Sequence, residues 1–201
     1  MYDKSEIPYM TESAKINAPS KKGKVRQQLH EMIMNEVAKG SLIALIARSA
    51  DFYGPQNRSS ALELMVVKNY LKGKSAQAFG NINKIHTYTY TPDAAMATAL
   101  LGNTPDAYNQ VWHVPTTSEK LTTLQWIQLI ASEMNVKPKY QIIPNWMLKL
   151  LGLFIPIMRE FPEMMYQYEQ DYIFNSSKFE KRFGIQATTP INGIKGMLNK
   201  N

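Results

Sequence analysis

Leu42-Ile43-Ala44-Leu45-Ile46-Ala47-Arg48-Ser49-Ala50-Asp51-Phe52-Tyr53-Gly54-Pro55 decides how this 201-residue chain is read. Its first six residues are continuously apolar and of strand length, the pattern of a parallel strand covered on both faces. Asp51 to Pro55 then ends the strand in a turn. Upstream, Val25, Leu29, Met32, Ile33 and Val37 recur at helical spacing from a start near Ser20, and Gly40 stands where a left-handed C-terminal cap belongs. A helix feeding a buried strand means an α/β chain.

Working outward, Leu62, Met65, Val66 and Tyr70 mark a second helix closed by Gly73. Residues 85–91 form a β-rich run. Thr91-Pro92-Asp93 then supplies an N-cap, a proline at the first helical position and a carboxylate at the positive helix end, for a helix that stops at Gly102. Val111-Trp112-His113-Val114 is a short strand. Thr122-x-x-Gln125 is a capping box, with Leu121 and Trp126 placed as a hydrophobic staple for a helix over 123–134. Further helices are expected near 145–154, 157–168, 176–183 and 190–199, the last opened by Thr189-Pro190. Residues 1–19 read as irregular, and the chain has neither an internal repeat nor a low-complexity tract.

Composition narrows the class. Hydrophobic residues make up 44% and charged residues 19%, which excludes a disordered chain. Without cysteine there is no disulfide framework and no thiolate zinc site, and no metal is expected. The polar start Met1-Tyr2-Asp3-Lys4 leads into no apolar core of a secretory signal, so a cytoplasmic location is the expectation. The apolar stretch Ile142–Met158 is interrupted by Pro144, Asn145, Lys149 and Pro156 and falls short of a membrane span; it reads as buried or as a membrane-surface contact, with no membrane partner expected. Lys15, Lys21, Lys22, Lys24 and Arg26 concentrate the formal charge of +7 in one stretch that meets phosphate or simply solvates a helix start. Aromatics do not interleave with that run and no recognition motif accompanies it, so no nucleic-acid partner is expected.

Glu12 and Pro19-Ser20 precede the basic helix, Arg48-Ser49-Ala50-Asp51-Phe52-Tyr53-Gly54-Pro55 follows the buried strand, and Thr87-Tyr88-Thr89-Tyr90-Thr91-Pro92-Asp93 precedes a helix. In that order and spacing these segments resemble the second half of the extended short-chain dehydrogenases/reductases, the NAD(P)-dependent epimerase/dehydratase family. The resemblance runs from Glu12 to the C-terminal helices. It implies the C-terminal part of a Rossmann-like, doubly wound parallel sheet with a smaller, mostly helical substrate-binding lobe. Residues 1–55 would be the remaining part of the NAD(P)-binding domain and 56–201 mainly the substrate lobe, with 86–115 returning to the sheet. It further implies NAD or NADP as cofactor, hydride transfer on a sugar or nucleotide-sugar type substrate, and a homodimer through the helix near 20–39. The other reading of that helix is that Leu29, Met32 and Ile33 face the chain's own sheet.

Two departures from the family pattern carry weight. If Gly23 matches the glycine after the family's tyrosine, Lys22 stands at the tyrosine position and Arg26 at the lysine position of the Tyr-x-x-x-Lys pair. The phenolic acid/base is then gone, because Arg26 does not deprotonate and can only bind or orient. Lys22 is a base only if desolvated, and otherwise a surface lysine. The second departure is that no glycine-rich phosphate turn occurs, so the resemblance implies a chain that begins after the family's first strands and exposes a hydrophobic edge.

Carried over residue by residue, the resemblance makes Arg26 the cofactor-orienting cation and puts Phe52 and Tyr53 beside the nicotinamide. Asp51 stands where relatives carry a sugar-contacting asparagine; its other reading is a turn aspartate bonding its own backbone. His86 stands where an arginine often pairs with a nucleotide diphosphate, and as a lone histidine in an apolar run it also reads as structural. Arg58 meets an anionic substrate group or is a surface arginine. The alternative to an enzyme is an inactive dinucleotide-binding sensor or scaffold of the same fold, which would bind NAD(P) without reducing it.

Overall fold

The computed structural model describes residues 1–144, 146, 147 and 161–199. A 3-10 turn at Lys4–Tyr9 precedes helix α1, Lys21–Ala38, whose N-cap Ser20 accepts the backbone N–H of Gly23. Strands β1, Ile46–Arg48, and β2, Asp51–Tyr53, follow. A π-helical stretch Glu63–Val67 runs into α2, Lys68–Leu71, and then comes β3, Ala76–Phe79. Next are β4, Tyr88–Tyr90, α3, Thr91–Gly102, β5, Val111–His113, α4, Thr123–Glu133, and β6, Tyr140–Ile143. Short α5, Phe161–Met164, leads to α6, Ser177–Phe183, and α7, Pro190–Leu198.

These strands pair in parallel: β1 with β5 in the register Ile46↔Val111, β2 with β4 in the register Asp51↔Tyr88, and β3 with β6 in the register Ala76↔Tyr140. Parallel neighbours need crossovers, which the intervening helices and loops supply. This is the expected α/β architecture. Between β1 and β2 the ladder breaks at Ser49-Ala50, because the Ala50 N–H donates to the Thr89 hydroxyl oxygen instead of to a strand carbonyl.

The strand expected over 42–47 is a correction. Only its end is a strand, and Leu42 and Ile43 are exposed, Ile43 by 74%. Its ladder stops where Asn109, in the left-handed region, gives its N–H to the Ala44 carbonyl. Apolar continuity alone does not reveal whether a second layer exists. The N-cap expected at Thr91 is a second correction: Thr91 is already the first residue of α3, Tyr90 stands at the cap without a side-chain bond, and among the described residues Thr91 Oγ1 has no hydrogen-bond partner. Other local signals hold. Gly40 and Gly73 take positive φ behind their helices, and Thr122 and Gln125 form the reciprocal capping box that starts α4. The helix expected near 145–154, apart from Trp146 and Met147, and the start of that expected over 157–168 lie outside the described residues.

The main core lies behind β2 and β4. Tyr53, Tyr88 and Trp126 meet edge-on there, with ring centroids 5.2 to 6.3 Å apart, and Ile127, Ile130 and Ile194 close around them. Gly193 of α7 is required by this packing, since a Cβ there would collide with the Tyr53 hydroxyl. A second cluster joins α3 to α6 through Ala97, Leu101, Trp112 and Phe179. Among the described residues no helix is long and apolar enough to cross a membrane.

Candidate functional site

Side chains alternate along a strand, so Asp51 and Tyr53 share one face of β2 and Phe52 takes the other. Tyr53 is fully buried and packs on Tyr88, Tyr90 and Trp126. It is therefore a core residue and not, as its position implied, one of a pair flanking a nicotinamide. Phe52, on the other face, is 41% exposed and lines a cleft of about 440 Å³ together with Arg26, His30, Arg48, Ser49 and Tyr172. The structure thus brings Arg26 and Phe52 together and leaves Tyr53 out. Lys22 is exposed in the first turn of α1.

The floor of the cleft is a hydrogen-bonded chain that sequence reasoning did not find. Arg48 Nη1 donates to the Tyr2 hydroxyl at 2.6 Å and Arg48 Nη2 donates to His30 Nδ1 at 3.0 Å. His113 donates from Nδ1 to the Asn175 carbonyl at 2.7 Å, which leaves Nε2 to accept the Tyr2 O–H at 2.5 Å. Burial pushes the His113 imidazole down to about 3, outweighing the Asn175 carbonyl that favours protonation. Burial raises the Tyr2 phenol against the opposing pull of Arg48, and it lowers His30 with Arg48 adding to the effect. Tyr2 and His113 therefore stay neutral together. Arg48 is 8% exposed, and among the described residues its Nε has no hydrogen-bond partner. Two guanidinium groups and no carboxylate line this cleft, an electrostatic setting that suits an anion.

Asp51 and His86 also come together, though not as separate ligand-facing groups. His86 Nε2 donates to Asp51 Oδ2 at 2.9 Å. The imidazole is buried, stacked on Tyr172 at 4.5 Å and on Tyr168 at 5.0 Å with nearly parallel planes. Its own carbonyl accepts the Trp126 indole N–H at 2.9 Å. His86 consequently does not face a ligand. The Asp51 carboxylate is the solvent-reaching end of the pair, with 40% of its side chain exposed, and it bonds His86 rather than turning back on its own backbone. Arg58 belongs to a different cleft, about 670 Å³, between Gly54–Arg58, Glu63, Lys68 and the end of α7. Gly54 there has φ +140°, and a Cβ would strike the Thr91 hydroxyl, so the Tyr-Gly-Pro glycine is a backbone requirement. Among the described residues no group of three or more His, Asp or Glu is placed to hold a metal ion.

Of the missed residues, Arg48 had a signal: it is the first charged residue after an apolar run, on the strand that leads to the cleft. Tyr2, His30, His113 and Tyr172 had none, since they converge from segments far apart in sequence.

No protein-family model matches the chain, and none of the curated proteins does. Solved structures do. A dTDP-glucose 4,6-dehydratase from Bacillus anthracis, in complex with NAD, superposes with a TM-score of 0.74 at 15% identity over 94% of this chain and 54% of its own. A UDP-glucuronic acid 4-epimerase from Bacillus cereus, in complex with UDP-glucuronic acid and NAD, gives 0.73 at 15% over 93% and 54%. Pal from Bacillus thuringiensis gives 0.75 at 15% over 98% and 57%. The chain has the Rossmann-like fold of these extended short-chain dehydrogenases/reductases, and it spans little more than half their length.

Proposed function

We propose that this chain is an NAD(P)-dependent epimerase/dehydratase-like protein that acts on a sugar or nucleotide-sugar type substrate by hydride transfer. The observation that supports this reading most is the cleft in which Arg26, Arg48 and the open face of Phe52 converge. Its volume is within the range of small-molecule sites, and its residues fit a nicotinamide dinucleotide: cationic groups for its phosphates and an aromatic face for its ring. Arg26 would orient the cofactor from α1, and Phe52 would pack against the nicotinamide. Such a cofactor supplies hydride acceptance and return. Asp51 and Arg58 would meet the substrate on either side of the Tyr-Gly-Pro turn.

In this reading residues 1–55 belong to the cofactor domain and 56–201 mainly to the substrate lobe, with 86–115 returning to the sheet, and the protein works in the cytoplasm as a homodimer through α1. The exposure of Lys22 at the position of the family's tyrosine favours a second reading, a dinucleotide sensor that binds without hydride exchange. The test is titration of the full chain with NADH, followed by nicotinamide fluorescence and calorimetry. Arg26→Ala is expected to weaken binding about tenfold, the cost of one exposed charge-assisted contact. No binding by the wild type would sink both readings, and binding without hydride exchange would leave the sensor.

A further inference from the structure

The cleft of about 670 Å³ beside the Tyr-Gly-Pro turn shares no residue with the one that Phe52 lines. Three charged side chains converge on it: Arg58 after the turn, Glu63 from the π-helical stretch and Lys68 from α2. Ser60-x-x-Glu63 has the spacing of a capping box, in which the glutamate would reach back to the backbone N–H of the cap. Only half of the box forms. The Glu63 N–H donates to Ser60 Oγ at 3.2 Å, but the Ser60 N–H donates to the Asn57 carbonyl at 3.3 Å, so the cap leaves the carboxylate unused. Among the described residues neither the Glu63 carboxylate nor the Arg58 guanidinium has a hydrogen-bond or ion-pair partner, and the two do not pair with each other. The π-helical turn brings in the third charge. Residues five apart on an α-helix lie about 140° from each other, whereas here the Lys68 N–H closes on the Glu63 carbonyl and the wider turn carries Lys68 round to the side of Glu63. Lys68 Nζ donates to the Arg58 carbonyl at 3.2 Å, which leaves its other hydrogens for a ligand. Across the cleft, the C-terminal turn of α7 borders it with the negative end of a helix.

We propose that this cleft binds a small zwitterion with an apolar body, the chemistry of a free amino acid with an apolar side chain. Its carboxylate meets Arg58 and Lys68, its ammonium lies between Glu63 and the carbonyl end of α7, and its body packs on Pro55, Val67 and Met197. The charges of the lining select this class. A simple anion would set a like charge against Glu63 and leave that half-buried carboxylate unpaired, and a simple cation would do the same to Arg58 and Lys68. A ligand that carries both signs pairs all three groups at once. The cleft volume is in the range of small-molecule sites, with room beyond an amino acid for water. The proposal goes beyond the hydride-transfer reading and does not depend on it, since no cofactor is involved. Arg58 would serve an anionic group of either ligand through the same guanidinium, so the two readings stand or fall separately.

The experiment titrates the full chain by calorimetry with three probes of one shape: phenylalanine, 3-phenylpropanoate, which lacks the ammonium, and 2-phenylethylamine, which lacks the carboxylate. Phenylalanine is expected to bind with a Kd of about 1 mM or below, and each of the other two about tenfold more weakly, the worth of one charge-assisted contact. Arg58→Ala should weaken phenylalanine about tenfold and leave 2-phenylethylamine within about twofold. Glu63→Gln should weaken phenylalanine by a similar factor, leave 3-phenylpropanoate no weaker than in the wild type, and leave NADH affinity unchanged. Absence of phenylalanine binding up to about 10 mM overturns the proposal. So does 3-phenylpropanoate binding as tightly as phenylalanine, which would make the cleft a plain anion site. Phenylalanine binding that neither substitution alters would place the ligand elsewhere and overturn it as well. A wild type that binds phenylalanine but no NADH loses the cofactor reading and keeps this one.

Discussion

Tyr53 and Phe52 are consecutive residues of β2, and they look into two different regions. Behind Tyr53 the aromatic rings of Tyr88 and Trp126 are sealed by α4 and α7. In front of Phe52 lies the cleft, and beyond it α1, whose Val25, Leu29 and Met32 are exposed, Met32 by 58%. The two regions differ in how fully their apolar side chains are covered. Stability is concentrated on the Tyr53 face, and the surface able to meet a ligand or a partner is on the Phe52 face.

The largest effect that would test this contrast is at Trp126. Its indole is fully buried and also donates to the His86 carbonyl, so Trp126→Ala creates a cavity and strands a buried acceptor. The expected loss is about 3–5 kcal/mol, read as a lowered midpoint in urea unfolding. A loss under about 1 kcal/mol would mean that the aromatic cluster is not the seat of stability.

A smaller effect belongs to the cleft floor. His113 sits at about 3 when folded, below the usual histidine value of about 6.5. Protonation therefore favours the unfolded chain: the stability that neutral His113 contributes is complete above about pH 6.5 and is lost as pH falls from there towards 3. The slope reaches at most about 1.4 kcal/mol per pH unit. Thermal melts at stepped pH should show the decline in the wild type and a flatter profile in His113→Gln. Equal profiles would place His113 in contact with solvent.

The contrast between the two faces also explains what could be read from sequence. Caps, breakers and periodic faces act over a few residues, so α3, α4 and the closing glycines Gly40 and Gly73 were legible, as was the α/β class. Alternation in Asp51-Phe52-Tyr53 places Phe52 and Tyr53 on opposite faces, so a joint role beside a nicotinamide conflicts with strand geometry. Long-range convergence was not legible: Tyr2 meets His113, His86 meets Tyr168 and Tyr172, and no local pattern marks either. Nor does an apolar run such as Leu42–Ala47 say how many of its faces find a neighbour.

The smallest expected effect is on α1. The helix buries only Gly23 fully, and Leu29 and Met32, three residues apart, lie on one exposed face. Its first half carries Lys21, Lys22, Lys24 and Arg26, and its second half carries Glu31 and Glu36. Two copies of α1 packed antiparallel about a two-fold axis would set the basic half of each against the acidic half of the other, while covering Leu29 and Met32. Replacing both residues with serine should then change the stability of the monomer by no more than about 0.5 kcal/mol, as for surface positions. It should also shift sedimentation from dimer towards monomer at equal concentration. A stability loss of about 2 kcal/mol with unchanged sedimentation would mean that this face packs within its own chain, and the division of β2 into a sealed face and an open one would no longer stand.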